Sequence, residues 1–459
     1  MPMMSGFANA FKIEELRKKI FVTLGIVFVC RLISMIPCPG VDWGTLQSTL
    51  ELARQNRESA GVAGLLSLFT GGALDKCAIG FLSIWPYISA QIVIQLLSSV
   101  IPSLEKYKRE GESGRTKLAE ITRYLTIVIC VFQAWGISAA MMHPEQILGS
   151  AFAGKNIVIS GGVGFQLMTV LSMTTASLFV MWLADQITTF GIGNGASMII
   201  MINIASRLPT AIVSLWNDYF GPAAHGNWVM AVILLLIGFS VVMGTVVLIQ
   251  GIRKVPIHAA RRSMTLGSSY GMQQTYMPLR VNYTGVMPII FAQPLIQIPA
   301  YLLGRIGTSS PVAFLGRFGR ALQSYSATYM VVYAILIMFF AFFWVATQFN
   351  AVKVADDLKK SNSYIPGIRP GRATAEFLDA LMTRITLIGG TGLMIVALIP
   401  NILMSWLHIH WEVASFFGGT SLLIIVGVAL DTLRIMESHL LVRKYEGFLR
   451  HGSIQGRRG

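Results

Sequence analysis

Apolar positions along this chain gather into long blocks separated by short polar stretches that carry most of the charge. A helix needs about 20 apolar residues to cross the hydrocarbon core of a bilayer, so the blocks predict about ten spans. They fall at 20–36, 79–101, 121–142, 165–187, 196–216, 228–250, 285–306, 329–345, 381–404 and 413–432. One further block, Leu65, Leu66, Ser67, Leu68, Phe69, Thr70, Gly71, Gly72, Ala73 and Leu74, is apolar and Gly-rich but too short to cross. The next span is interrupted at Trp85-Pro86-Tyr87 and carries Ser89, Gln91 and Gln95 in its second half. Lipid cannot satisfy the backbone groups freed at such a break, so protein must shelter them. A short re-entrant piece before a broken, polar-speckled span suggests a gated path through a membrane.

Composition supports this. Only 12% of residues are charged and 54% are apolar, whereas soluble domains carry roughly 25% charge. The basic residues fall mostly on one side of the predicted spans. With the N-terminus inside, that side holds Lys12, Arg17, Lys18, Lys19, Lys106, Lys108, Arg109, Arg253, Lys254, Arg280, Lys359, Lys360, Arg369 and the tail from Arg434. The other side holds Arg54, Arg57, Lys76, Lys155, Arg305, Arg317 and Arg320. The asymmetry puts both termini in the cytoplasm. It also concentrates the net charge of +15 on one face, which attracts anionic lipid headgroups. No small-residue cleavage site follows the first span, which reads as an anchor rather than a removable signal.

The fold class expected is an all-α integral membrane protein of two inverted five-helix halves, since ten spans with both ends inside divide into five and five. The segments are an amphipathic head at 1–19, an N-terminal half at 20–216 and a hinge loop at 217–227. A C-terminal half at 228–433 and a basic tail at 434–459 complete the chain. Two long loops, 251–283 and 346–378, are basic, contain turn-forming Pro and Gly, and lack the low complexity of disordered linkers. They read as docking surfaces for an acidic partner or an RNA phosphate backbone, or else as solvated loops.

Motifs for bond chemistry are missing. There is no Gly-x-x-x-x-Gly-Lys-Ser/Thr loop, His-Glu-x-x-His helix or Gly-x-Ser-x-Gly elbow. Gly191-Ile192-Gly193-Asn194-Gly195 looks like a nucleotide loop but lies between two spans and reads as a tight turn. His408 and His410 flank the membrane boundary with Trp406 and Trp411, which favours an interfacial role over a metal. No cysteine spacing matches a metal site; Cys38 and Cys77 fall on the same outer side, where a pair is geometrically open. No catalytic residue, metal ligand or cofactor site is expected. Intramembrane ionisable residues usually mark function; here Arg31 and Arg207 are the exceptions among otherwise uncharged span interiors.

Ordered strings along the chain resemble the SecY family, the channel subunits of the bacterial protein translocon. They are Pro39-Gly40-Val41-Asp42, Gly71-Gly72-Ala73-Leu74, Pro86-Tyr87-Ile88-Ser89-Ala90, Ile94-Gln95-Leu96-Leu97 and Gly191-Ile192-Gly193-Asn194-Gly195. Gly285-Val286-Met287-Pro288, Ala355-Asp356-Asp357-Leu358-Lys359-Lys360, Pro366-Gly367-Ile368-Arg369-Pro370-Gly371, Met382-Thr383-Arg384 and Gly418-Gly419-Thr420-Ser421-Leu422 follow in family order. The resemblance implies a channel for unfolded secretory polypeptides in the plasma membrane, with a plug at 65–74 and a lateral gate that releases transmembrane segments into lipid. It implies a hydrophobic pore ring at Ile84, Ile88, Ala196, Ile200, Ile290 and Ile424, in which Ala196 leaves the ring looser or a neighbour such as Met198 fills the gap. Gln95 and Asn282 match polar gate positions, while Arg253, Lys254 and Arg369 match docking positions. The implied partners are SecE and SecG, the SecA motor, the ribosome, and signal sequences with their nascent chains. Ile252, Ala259 and Ala351 depart from the family pattern and leave the details of docking open. Without the resemblance, a small-solute transporter or a membrane docking scaffold also fits the residues.

Overall fold

The computed structural model describes residues 13–48, 72–73, 76–142, 157–159, 161–220, 228–259, 275–292, 295–296, 299, 319, 321–322, 326–407, 413–414 and 419–451. The first half comprises α1 (Glu14–Ile33), a 3-10 turn (Ile79–Phe81), α2 (Trp85–Val100), α3 (Pro102–Arg109), α4 (Glu112–Met142), α5 (Val163–Phe190), α6 (Gly195–Ala205) and α7 (Leu208–Tyr219). Then come α8 (Trp228–Gln250), β1 (Ile252–Ala259), β2 (Thr275–Arg280), α9 (Ala327–Gln348), α10 (Ala351–Lys360), β3 (Ser363–Tyr364), α11 (Arg372–Leu407) and α12 (Gly419–His451). Eight helical stretches among the described residues are long and apolar enough to cross a membrane. Of the remaining predicted spans, 20–36 falls in α1, whose first turns are charged, and 285–306 is described only in part.

The chain forms two compact units, Met1–Ala211 with Val428–Gly459, and Ile212–Gly427. In the first unit α5 is the central helix, packed against α1, α4, α6 and the 3-10 turn. Its buried residues Phe165, Thr169, Met173, Ala176, Val180, Leu183 and Ile187 recur every three or four positions, so they line one face. The opposite face exposes Leu167, Met168, Leu171, Phe179 and Trp182. A face that apolar needs lipid or protein over it. At one end of this unit Cys38, Val41, Leu46, Cys77, Phe81, Ile157 and Phe165 share a core, with Val41 bridged to Val158. The Asp42 carboxylate accepts from Thr45 Oγ1 at 2.6 Å and from the Gly44 N–H at 3.0 Å. These bonds, led by that of the Thr45 hydroxyl, hold its pKa below the usual carboxylate value. Their contribution is therefore present at neutral pH and is lost as pH falls through the folded-state pKa.

At the other end Leu16, Ile192 and Met436 pack together, joining α1, the 191–194 turn and α12. Several of the turn's amides are already engaged, Gly191 N–H donating to the Ile187 carbonyl at 2.8 Å. Ile192 N–H donates to Thr23 Oγ1 at 3.2 Å, Gly195 N–H to Thr188 Oγ1 at 2.9 Å, and Asn194 caps α6 by accepting from Ser197 N–H at 3.1 Å. With these amides committed to neighbouring helices, the segment is built as a tight turn between α5 and α6. All four cysteines are free and buried.

The second unit is built around α11, which packs on α8, α9 and α10. At 36 residues α11 is about 54 Å long, well beyond the ~30 Å hydrocarbon core. Its middle lies in an apolar core with Ile289, Tyr333, Ile337, Leu393, Ala397 and Leu423. Its first turns serve a second core, where Leu378, Met382 and Ile385 meet Val255, Leu279, Val345 and Ile365. Above that core lies a three-stranded antiparallel sheet in the order β2-β1-β3.

Helix junctions here depend on glycines that allow close backbone approach. A Cβ on Gly195 would strike the Ala184 carbonyl, forcing α5 and α6 apart. Gly195→Ala should lower the stability of the purified protein by about 1–3 kcal/mol, read from the thermal midpoint in detergent. An unchanged midpoint would mean that the junction relaxes without cost.

Candidate functional site

The break before α2 is an unusual piece of backbone among the described residues of the first unit. Ile79–Phe81 makes a single 3-10 turn, residues 82–84 turn again, and α2 starts at Trp85. Pro86 occupies the first turn of α2, where a missing N–H forfeits no helical bond. The interruption therefore precedes Trp85-Pro86 rather than falling on it. Gly80 lies close against the backbone of Ile33 and Ser34, 3.0 to 3.1 Å from where its Cβ would be. Ser83 adopts φ +47°, a left-handed conformation uncommon for residues other than Gly, Asn and Asp.

Immediately after it, Ile84 and Ile88 are 2% and 8% exposed and share a face at i, i+4. Ala196 and Ile200 have the same spacing on α6, and both are half-buried. Met198 lies about 200° around the helix from Ala196. Its Sδ accepts from Thr432 Oγ1 at 3.5 Å, so it turns to α12 and does not fill the place beside Ala196. In the second unit Ile424 is buried near the start of α12 and Ile290 is half-buried in a helical turn at 287–292. Each flanks a fully buried neighbour, Leu423 and Ile289 respectively.

A polar network threads the apolar interior beside the break. Arg31 Nη1 donates to Asn203 Oδ1 at 3.5 Å, and Asn203 Nδ2 donates to Ser83 Oγ at 3.0 Å. Ser177 Oγ donates to the Ser83 carbonyl at 2.8 Å and accepts from Cys130 Sγ at 3.4 Å. Asn203, Ser83 and Ser177 are all buried. Sequence reading singled out Arg31 but missed Asn203 and Ser83; an amide inside the run 198–204 was the signal available. Of the candidate plug, Gly72 and Ala73 are described, whereas Leu65, Leu66, Ser67, Leu68, Phe69, Thr70, Gly71 and Leu74 lie outside the described residues. Gly72 has φ +89°. A Cβ there would sit 3.2 Å from the Arg207 guanidinium. Ala73 is fully buried, and its carbonyl accepts from Ala78 N–H at 2.9 Å.

The two polar gate candidates lie in different units. Gln95 is half-buried on α2. Asn282 is 8% exposed, two residues beyond β2, and its Oδ1 accepts from Thr284 Oγ1 at 3.3 Å. The preceding residue is fixed on both sides: Val281 N–H donates to the Gly251 carbonyl at 2.8 Å, and Gly389 of α11 abuts the Val281 carbonyl.

Arg253 and Lys254 are exposed on β1, opposite Leu279 and Pro278 of β2. Val255 and Leu279 pack into the core below, and the two-residue period of a strand puts Lys254 on the opposite face. β3 pairs with the end of β1, His258 opposite Tyr364 and Ala259 opposite Ser363. The two basic loops are thereby one layer rather than two. Arg369 is exposed five residues past β3, and its carbonyl accepts from Thr374 Oγ1 at 2.9 Å. Among the described residues no three His, Cys, Asp or Glu side chains cluster as a metal site would need; His408 and His410 lie outside them.

The family model described as SecY matches residues 78–433. A protein translocase subunit SecY of Streptomyces scabiei is 41% identical over 448 residues, covering 98% of this chain and 100% of that one. The Thermotoga maritima protein of the same name is 38% identical over 461 residues, covering 99% and 100%. Among solved structures, one described as that of a protein-conducting channel matches with a TM-score of 0.54 at 15% identity, covering 95% of each chain. Sec61 in a canine ribosome-channel complex from the endoplasmic reticulum gives 0.53 at 14%, covering 96% of this chain and 95% of that one.

Gly389→Ala would drive a Cβ into the Val281 carbonyl and displace the backbone next to Asn282. Amide hydrogen exchange at 281–284 should speed up, with about 1–3 kcal/mol lost in stability. Unaltered exchange there would mean that α11 does not hold this segment.

Proposed function

Because the chain belongs to the SecY family, we infer from its own residues how it performs that family's work as a protein-conducting channel in a membrane. It is a multi-pass membrane protein and a translocase subunit. A polypeptide in hydrocarbon leaves its peptide groups without partners at several kcal/mol each, so it needs a sheltered path. In our reading Ile84, Ile88, Ala196, Ile200, Ile290 and Ile424 form the constriction. Apolar side chains exclude water and ions by dewetting, and they part around a moving chain without binding it. The observation that carries this reading is the buried Ile84–Ile88 stripe, set directly behind a break that no lipid-facing helix could hold open.

The segment 65–74 closes the outer side at rest, its end anchored where Gly72 lies on Arg207. Gln95 and Asn282 hold the lateral gate. Polar contacts within membranes are worth roughly 1 kcal/mol, which an apolar signal sequence can displace. Thr284 supports the assignment, since its hydroxyl donates to the Asn282 carbonyl oxygen and so orients the amide. The layer carrying Arg253, Lys254 and Arg369 receives the SecA motor or the ribosome. Those partners supply the energy, and the channel itself catalyses no bond chemistry. SecE and SecG complete the complex in the bacterial plasma membrane, where both termini are cytoplasmic and the basic face lies against anionic lipid.

A photocrosslinker at Ile88 or Ile424 should capture a stalled secretory chain in membranes carrying the reconstituted complex, and deletion of the signal sequence should abolish both adducts. Absent adducts, with motor bound and complex intact, would remove the pore assignment and leave docking as the function. In the same membranes Arg369→Glu should cut precursor import at least about tenfold if its charge meets an anionic partner surface, while leaving the thermal midpoint unmoved.

A further inference from the structure

Arg31 has no part in the mechanism so far, yet a guanidinium within an apolar span is costly and calls for a reason. Its Nη1 lies against the carbonyl oxygen of the Asn203 amide. A cation on that side forbids the flipped amide, whose NH2 would face another donor. The orientation this leaves aims Nδ2 at the Ser83 hydroxyl. Ser177, from α5, holds the carbonyl of the same residue. Ser83 is thus gripped at its side chain from α6 and at its backbone from α5, in a φ of +47° that a serine does not hold unaided. The next residue is Ile84. On α6, Asn203 follows Ala196 and Ile200 at i+7 and i+3, on the same face.

We propose that Asn203, oriented by Arg31, is the positioning residue of the constriction: it locks Ser83 in the left-handed conformation that seats Ile84. The inference rests on Ile84 and Ile88 lining the pore. Removing the amide frees Ser83 to relax into an ordinary backbone region, and Ile84 moves with it. Losing the seat loosens the resting seal before it affects the assembly of the unit.

The test uses vesicles containing the full chain with its partner subunits, loaded with a halide-quenched dye and exposed to iodide without motor or nucleotide. Wild-type vesicles should stay sealed and should import a precursor when the motor and ATP are added; failure of that import would sink the channel reading itself. Asn203→Leu, close in volume but without donor or acceptor, should raise iodide influx about tenfold, the scale of one strained backbone state released. Adding Ser83→Gly should restore the seal, because glycine occupies φ +47° without a hydrogen bond to hold it. Should Asn203→Leu not assemble, Ser177→Ala removes the other grip by deleting one atom, and should leak and be rescued in the same way. A sealed Asn203→Leu, or a leak that Ser83→Gly does not reduce, overturns the proposal and assigns the amide to general packing.

Discussion

The hydrocarbon core of a bilayer holds no water, and every peptide group exposed to it must find a partner within the protein. A straight helix does this automatically; an interruption does not. The turn at 79–84 is such an interruption, and the first unit is arranged to satisfy it. The 3-10 turn closes its own bonds, Ser83 N–H donating to the Gly80 carbonyl at 3.1 Å and Trp85 N–H to that of Leu82 at 3.1 Å. The Ser83 carbonyl goes to Ser177, and Gly80 lets the turn lie flat against the end of α1. Three helices thus converge on six residues. What the break gains is an abrupt start for α2 with a pair of isoleucines on one face, in a place where a continuous helix would present its side chains along a different line.

In the described part of the second unit the irregular backbone and the strands follow the ends of the apolar helices. α8 and α9 end where the strands and α10 begin, and the sheet with its own apolar core sits at that end. The N-caps follow local rules: Asn350 accepts from Lys353 N–H at 2.9 Å, and Ser326 from Thr328 N–H at 3.3 Å. Both are short polar side chains suited to orphan helix donors.

Much of this was readable in the chain. The apolar blocks gave the helices because span length is set by bilayer thickness, a constraint outside the protein. The tight turn at 191–195 was legible because glycines between two spans leave little else. The position of the break was displaced by a few residues. Proline draws attention to itself, whereas the actual discontinuity rests on Ser83, and a left-handed serine has no signature in sequence. Asn203 was overlooked because scanning the spans for ionisable groups passes over amides. The pairing of β3 with β1 was invisible as well. A two-residue strand has no periodicity, and its partner lies about a hundred positions away. The fate of Met198 could not be foreseen, since it depends on Thr432, more than two hundred residues later in the chain.

That last pairing of strands has a bearing on recognition. Because β3 ties the second basic loop to the first, and Val255, Leu279 and Ile365 pack beneath both, the described part of the layer is ordered before anything meets it. A partner that lands there gives up its own freedom but does not have to quench that of two separate loops, a cost of about 0.5–1.5 kcal/mol for each side chain immobilised. On the docking reading proposed above, such a surface discriminates by the spacing of its charges rather than by their number. A partner of equal charge but different spacing would gain attraction at long range and lose it on contact.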